Sequence, residues 1–157
     1  MVIKQLQDED FVNYKKPSMF IGFPTCTWKC EKECGRKVCQ NGTLATSPNI
    51  EIETTKIIER YLNNHITNAI VMGGLETFDS YNQLYEFISL LREQCDDDVV
   101  IYTGYYKEEI ENYIIELSKF KNIIIKFGRY IPNQEKHYDE VLGIWLASNN
   151  QYGEKIS

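Results

Sequence analysis

Four short, unbroken apolar runs constrain this chain more than any other feature. They are Met19-Phe20-Ile21, Ala69-Ile70-Val71-Met72, Val99-Val100-Ile101-Tyr102 and Ile123-Ile124-Ile125. A strand with one face in water alternates apolar and polar residues, whereas a strand buried on both faces does not. Continuous runs of this length predict strands of a parallel sheet covered on both faces. Helical periodicity fills the intervals between them. Ile57, Ile58, Tyr61 and Leu62 mark the first helix; Tyr81, Leu84, Tyr85, Ile88 and Leu91 mark the second; Ile110, Tyr113, Ile114 and Leu117 mark the third. Asp79-Ser80 ahead of the second and Lys107-Glu108-Glu109 ahead of the third are the polar and acidic residues that helix starts favour. The order predicts an α/β fold in one domain over residues 1–157, its right-handed crossovers building a parallel sheet that is open or partly curled into a barrel.

Glycine follows each predicted strand closely: Gly22 after the first, Gly73-Gly74 after the second, Thr103-Gly104 after the third, and Gly128-Arg129 after the fourth. Ordinary turn formation explains any one of them. Together they fall at the carboxyl ends of parallel strands, where α/β folds bind ligands. Residues 1–17 and 40–51 read as irregular polar surface chain. The segment from Tyr130 reads as an apolar anchor, Val141 to Ala147, and then a polar loop, Ser148 to Gln151, returning to the same edge.

Charge narrows the partners. The chain of 157 residues carries a formal net charge of −6, and its basic clusters are as small as Lys15-Lys16. Nothing in it favours nucleic acid or an anionic membrane surface. No apolar run approaches the roughly 20 residues of a membrane span, and no signal-peptide pattern opens the sequence. The expectation is a soluble, cytoplasmic protein.

Four of the five cysteines, Cys26, Cys30, Cys34 and Cys39, lie in one stretch after the first strand, while Cys95 stands apart. Clustered thiols in a reducing compartment hold metal or do redox chemistry more often than they form disulfides. Structural zinc sites favour paired Cys-x2-Cys hooks; here the gaps are of three, three and four residues. Zinc on all four thiols is one reading. The other is a 4Fe-4S cluster held by three of them, with one iron left open to a small molecule.

The order of landmarks resembles radical S-adenosylmethionine enzymes, and within them the activating proteins of anaerobic ribonucleoside-triphosphate reductases. The matching residues are Val38-Cys39-Gln40-Asn41, Met72-Gly73-Gly74-Leu75-Glu76, Tyr102-Thr103-Gly104-Tyr105, Phe127-Gly128-Arg129-Tyr130 and Ser148-Asn149-Asn150-Gln151. The likeness spans residues 18 to 152. The family spacing is Cys-x3-Cys-x2-Cys. Cys26 and Cys30 fit its first gap, and Cys39 is taken as the third ligand because Val38 precedes it and Asn41 follows. On that alignment residues 31–37 hold an insertion and Cys34 is an extra thiol; the rival alignment uses Cys34. Phe127 and Thr77 replace an acidic residue and a proline that the family often has.

The resemblance implies a short parallel-sheet partial (β/α) barrel carrying a 4Fe-4S cluster and S-adenosylmethionine. It implies reductive cleavage of S-adenosylmethionine to a 5′-deoxyadenosyl radical that abstracts hydrogen from a glycine of a large reductase subunit. A reduced flavodoxin or ferredoxin-like protein would donate the electron. Cys26, Cys30 and Cys39 would ligate the cluster. Gly73, Gly74 and Glu76 would receive the methionine ammonium, Thr103 the ribose or carboxylate, and Val38 the adenine. Trp28 would shield the cluster, and Ser148 and Asn149 would line the mouth. Two other functions stay open at this level: a zinc-thiolate binding module without catalysis, and a radical enzyme acting on another peptide or small molecule. Cys95 reads as a buried inert thiol, His65 and His137 as surface or capping residues, and Asp96-Asp97-Asp98 as a solvated turn.

Overall fold

A computed structural model describes residues 1–157. In chain order its first elements are β1 (Val2–Ile3), β2 (Gln5–Asp10), β3 (Ser18–Phe23), α1 (Lys29–Cys34), α2 (Gly42–Thr46), β4 (Ile50–Glu51) and α3 (Thr54–Leu62). Then follow β5 (Ala69–Gly74), α4 (Tyr81–Arg92), β6 (Asp98–Tyr102), α5 (Glu111–Leu117) and β7 (Ile123–Phe127). Three short strands close the chain: β8 (His137–Asp139), β9 (Ile144–Leu146) and β10 (Tyr152–Lys155).

The apolar runs lie in β3, β5, β6 and β7, which pair in parallel with Met19 beside Ile70, Ile70 beside Val99 and Val99 beside Ile123. The sheet is nevertheless mixed. Its order is β10-β7-β6-β5-β3-β2, with β2 antiparallel to β3 and β10 antiparallel to β7, leaving two edges. Residues 1–17, read as irregular chain, therefore include β1 and β2, and the segment from Tyr130, read as an apolar anchor and a polar loop, includes β8, β9 and β10. The reason is physical: β2 reads Gln-Leu-Gln-Asp-Glu-Asp and β10 Tyr-Gly-Glu-Lys. Edge strands carry charge because a bare apolar edge would pair with other chains, so they lack the periodic signal. Residues 40–51 likewise hold α2 and β4, the latter paired with β1.

The two faces of the sheet are covered differently. On one, α3, α4 and α5 pack Ile57, Tyr61, Leu84, Phe87, Ile88 and Leu117 against Met19, Ile21, Met72, Ile101, Ile125 and Phe127, all of them buried. Each fully buried aliphatic side chain of this kind contributes about 1.5–3 kcal/mol. No helix covers the other face. Tyr14 and the β8–β9 region, through Leu142 and Leu146, cover Ala69, Val71, Val100 and Ile124. Above those residues, toward the carboxyl ends of the strands, that face opens. No helix is long and apolar enough to cross a membrane.

Candidate functional site

The chain leaving β3 turns across the carboxyl edge of the sheet, and hydrogen bonds tie it to each neighbouring turn. Glu76 donates its backbone N–H to the Thr25 carbonyl at 2.8 Å, and the Thr27 N–H donates to Asp79 at 2.6 Å, holding the loop to the turn after β5. Lys29 donates to Glu109 at 3.0 Å beyond β6. Glu33 lies 2.9 Å from the Arg129 guanidinium beyond β7. Asn41 Nδ2 donates to the Gly74 carbonyl at 2.5 Å and closes the loop. The cysteine segment and the glycine turns that the sequence places on one edge are thus joined there.

Four thiols ride on this loop, all free and half-buried. Two of the sulfurs accept a hydrogen bond from a backbone N–H. Trp28 donates to Cys26 Sγ at 3.2 Å, Asn41 donates to Cys39 Sγ at 3.3 Å, and the Tyr130 N–H favours the thiolate of Cys30. Cys34, the last residue of α1, sits just before a left-handed Gly35. Burial pushes the Cys26 thiol up to about 11, with the Trp28 N–H opposing and Glu76 and Asp79 adding repulsion. Burial raises Cys30 as well, against the pull of Tyr130 N–H and Arg129. Both thiols are therefore protonated near neutral pH, a preference that coordination to a metal reverses.

Glycine is required at two of the turns. Gly74 adopts φ +82°, and a Cβ there would stand 2.7 Å from Leu44 Cδ2 and 3.1 Å from Gly22 Cα. A Cβ on Gly104 would stand 3.3 Å from Cys30 Sγ and 3.4 Å from Glu76 Oε2. Gly104 therefore keeps the space between that thiol and that carboxylate.

Glu76 is buried, and its carboxylate accepts from Thr103 Oγ1 at 2.6 Å, from the Gly104 N–H at 2.8 Å and from the Phe78 N–H at 3.2 Å. Desolvation pushes this carboxyl up to about 7 in spite of those donors. Thr103, buried too, also accepts the Tyr105 N–H at 2.9 Å. In this structure the two residues assigned to a ligand brace the turns after β5 and β6. Ser148, also buried, accepts the Ile131 N–H at 3.3 Å and holds the chain after Arg129, whereas Asn149 is exposed with its N–H on Gln134. Val38 and Trp28 are half-buried on the cysteine loop, Trp28 in a left-handed conformation. Gly73 is buried in β5.

A cavity of about 490 Å³ opens beside the loop, on the face of the sheet without helices. Cys39, Gln40, Asn41, Gly74, Thr103 and Gly104 form its wall at the cysteine loop, and Gln5, Gln7, Asn13 and Trp145 its far wall. One register row makes much of the floor. Gln5 pairs with Gly22, Gly22 with Gly73, and Tyr102 with Lys126, while a Cβ on Gly73 would lie 3.3 Å from Tyr102 Cβ. The two glycines side by side let Gln5, Tyr102 and Phe20 pack close over the strands, a Cβ on Gly22 standing 2.9 Å from Gln5 Cβ.

Lys126 escapes motif reading, while Arg129 and Tyr130 stand in a matched motif without an assigned role. Lys126 is buried in the floor; its signal is a lysine within the run Ile123-Ile124-Ile125-Lys126-Phe127. Arg129 is buried and pairs with Glu109 at 2.6 Å, holding that carboxyl down at about 2, and its guanidinium lies 4.5 Å from the centre of the Tyr106 ring. Tyr130 acts through its backbone, which no side-chain pattern reports. Away from the site, Cys95 lies half-buried beyond the end of α4 rather than on the helix. His137 is the first residue of β8. The three aspartates are engaged individually, Asp96 by Lys121, Asp97 by Tyr61 and Asp98 by Tyr14 and Lys16.

The donor set fits an iron–sulfur cluster in its chemistry. Soft sulfur donors stand on one loop, and backbone N–H groups donate to two of the sulfurs, the kind of hydrogen bond that tunes a cluster. No three cysteine, histidine or carboxylate side chains gather around one point in this structure. No curated protein and no solved structure matches the chain. A family model, described as a 4Fe-4S single cluster domain, matches residues 18–152. That span runs from β3 through the cysteine loop and every turn bonded to it as far as β10, and by it the chain belongs to the 4Fe-4S single cluster domain family.

Proposed function

We propose that this iron–sulfur protein is a radical S-adenosylmethionine enzyme, and that it installs a glycyl radical on the large subunit of an anaerobic ribonucleotide reductase. The observation that carries the reading is the loop that bears Cys26, Cys30 and Cys39, tied by hydrogen bonds to the turns at the carboxyl edge of the parallel strands and bordering an open cavity at Cys39. The family to which the chain belongs is one found in anaerobic ribonucleotide reductase activating proteins. The partial-barrel reading of the sheet belongs to the same proposal.

Cys26, Cys30 and Cys39 would hold the cluster, with Cys34 a spare thiol at the end of α1. Bound there, the cluster supplies the electron that splits S-adenosylmethionine into methionine and a 5′-deoxyadenosyl radical, which takes a hydrogen atom from the target glycine. The chain's own part is position and exclusion of water. Gly74 presents its backbone at the cavity wall, and Asn41, bonded to the Gly74 carbonyl, holds the end of the loop against it. Glu76 behind the wall and Thr103 within it fix the turns that shape it. The open far wall, between Gln5, Gln7 and Trp145, leaves room for a loop of a protein substrate. A reduced flavodoxin or ferredoxin-like protein would supply the electron from outside.

The test is anaerobic reconstitution with iron and sulfide, followed by electron paramagnetic resonance of the reduced protein with and without S-adenosylmethionine, and chromatography for 5′-deoxyadenosine. The expected result is a cluster signal that changes on adding S-adenosylmethionine, with 5′-deoxyadenosine formed. An unchanged signal with no 5′-deoxyadenosine would leave an iron–sulfur protein of another activity.

A further inference from the structure

Lys126 is the one lysine of the molecule placed in a hydrophobic strand of the sheet interior, and it is 7% exposed. Its ammonium has one hydrogen-bond acceptor, the Gly128 carbonyl at 3.1 Å. It belongs to none of the eight ion pairs of the protein. An ammonium carries three donors, and a buried cation without an anion is unfavourable by several kcal/mol. Lys126 lines the cavity, with its ammonium 5.9 Å from the centre of the Tyr102 ring.

The surroundings do not supply the missing anion. Glu76 and the Cys30 thiol act on Lys126 only at a distance, and the carboxylate of Glu76 is already taken up by Thr103, Gly104 and Phe78. Asp10, the one carboxylate that lines the cavity, is engaged by the Val12 N–H at 3.2 Å and Asn13 Nδ2 at 2.8 Å. Arg129, the basic residue of the turn after β7, is held by Glu109. The cavity of about 490 Å³ that Lys126 lines has the space a small group would need. Burial pushes the lysine down to about 8, the direction expected of a cation whose partner is not a residue of the chain.

We infer that Lys126 is the anion anchor of this cavity and receives the carboxylate of a small ligand, from the floor of the sheet and on the side away from the helices. The carboxylate has two sources. It is either the methionine end of S-adenosylmethionine or a separate small acid seated beside it. The inference rests on the proposed S-adenosylmethionine chemistry only for the identity of the carrier; the unpaired ammonium and the space over it are independent of that chemistry.

The experiment is anaerobic calorimetry on the reconstituted protein with three probes: S-adenosylmethionine, its decarboxylated analogue, and acetate. Wild-type protein is compared with Lys126→Met and Lys126→Arg, each checked for iron content and circular dichroism. A charged hydrogen bond of this kind makes a difference of about tenfold or more in affinity. If S-adenosylmethionine is the carrier, wild type prefers it to the decarboxylated analogue by that factor, Lys126→Met loses the preference, and Lys126→Arg recovers part of it. If the carrier is a separate acid, acetate binds saturably to wild type, not to Lys126→Met, and both adenosyl probes bind equally. Wild-type protein that neither distinguishes the two adenosyl probes nor binds acetate overturns the inference, and needs no variant that folds. A folded Lys126→Met protein with every affinity unchanged overturns it equally. Failure of the proposed activity reads differently: no 5′-deoxyadenosine forms, yet the Lys126-dependent binding of acetate persists.

Discussion

Thr103 Oγ1 donates to Glu76 Oε1 at 2.6 Å, joining two residues whose strands are neighbours in the sheet but whose turns have no covalent link. The same carboxylate gathers the N–H groups of Gly104 and Phe78. The turns after β5 and β6 are thereby one rigid unit, and the cysteine loop leans on it through the Glu76 N–H and Thr25.

That bond has a pH signature. Burial pushes the Glu76 carboxyl up to about 7 from an ordinary 4.5, so the folded state binds its proton more tightly than the unfolded chain does. Protonation therefore favours folding. The stability it confers is full below about 4.5 and is lost as pH rises through about 7, a difference of about 3 kcal/mol. Urea unfolding at pH 5 and pH 8 should show Glu76→Gln losing less stability over that interval than wild type. Equal losses in the two proteins would remove Glu76 as the source.

The third ligand can be read from metal content. Asn41 donates its N–H to Cys39 Sγ, while Cys34 ends a short helix. Cys39→Ala should fail to retain a four-iron cluster after reconstitution, and Cys34→Ala should retain it. The reverse pattern in iron and sulfide analysis would transfer the ligand to Cys34.

Gly74→Ala should destabilise the fold. The left-handed conformation at φ +82° is unfavourable by roughly 1–2 kcal/mol for a residue with a Cβ, and that Cβ would overlap Leu44. Thermal unfolding of Gly74→Ala should recover partly when Leu44→Ala is added, because the smaller side chain relieves the overlap and leaves the backbone strain. No recovery would assign the whole effect to the backbone.

Arg129→Leu should loosen the loop rather than the sheet. The guanidinium bridges Glu33 on the loop and Glu109 beyond β6 and lies against Tyr106. Its loss leaves Glu109 with Lys29 as its one cationic partner, beside the Tyr106 N–H, and lowers stability by roughly 2 kcal/mol. Hydrogen exchange should rise in residues 29–34 before it rises in β5 or β6. Uniform acceleration would mean that Arg129 supports the whole domain.

The sequence by itself determined the centre of this protein. Unbroken apolar runs are what strands buried on both faces require, so β3, β5, β6 and β7 were legible, and with them the edge on which the cysteine loop and the glycine turns meet. Helical period located α3, α4 and α5 for the same reason, since burial of one face leaves a local pattern. Only the tertiary structure decided the rest. Polar β2 and β10 become strands because a neighbour offers hydrogen bonds from a distant part of the chain, and no local period records that. All three long helices lie on one face, so the other face opens into the cavity. Gln5, Gly22, Gly73, Tyr102 and Lys126, far apart in sequence, share one row across the sheet because register aligns them. The backbone N–H groups that meet two of the sulfurs belong to every residue type alike, and folding alone selects which of them reach a thiol.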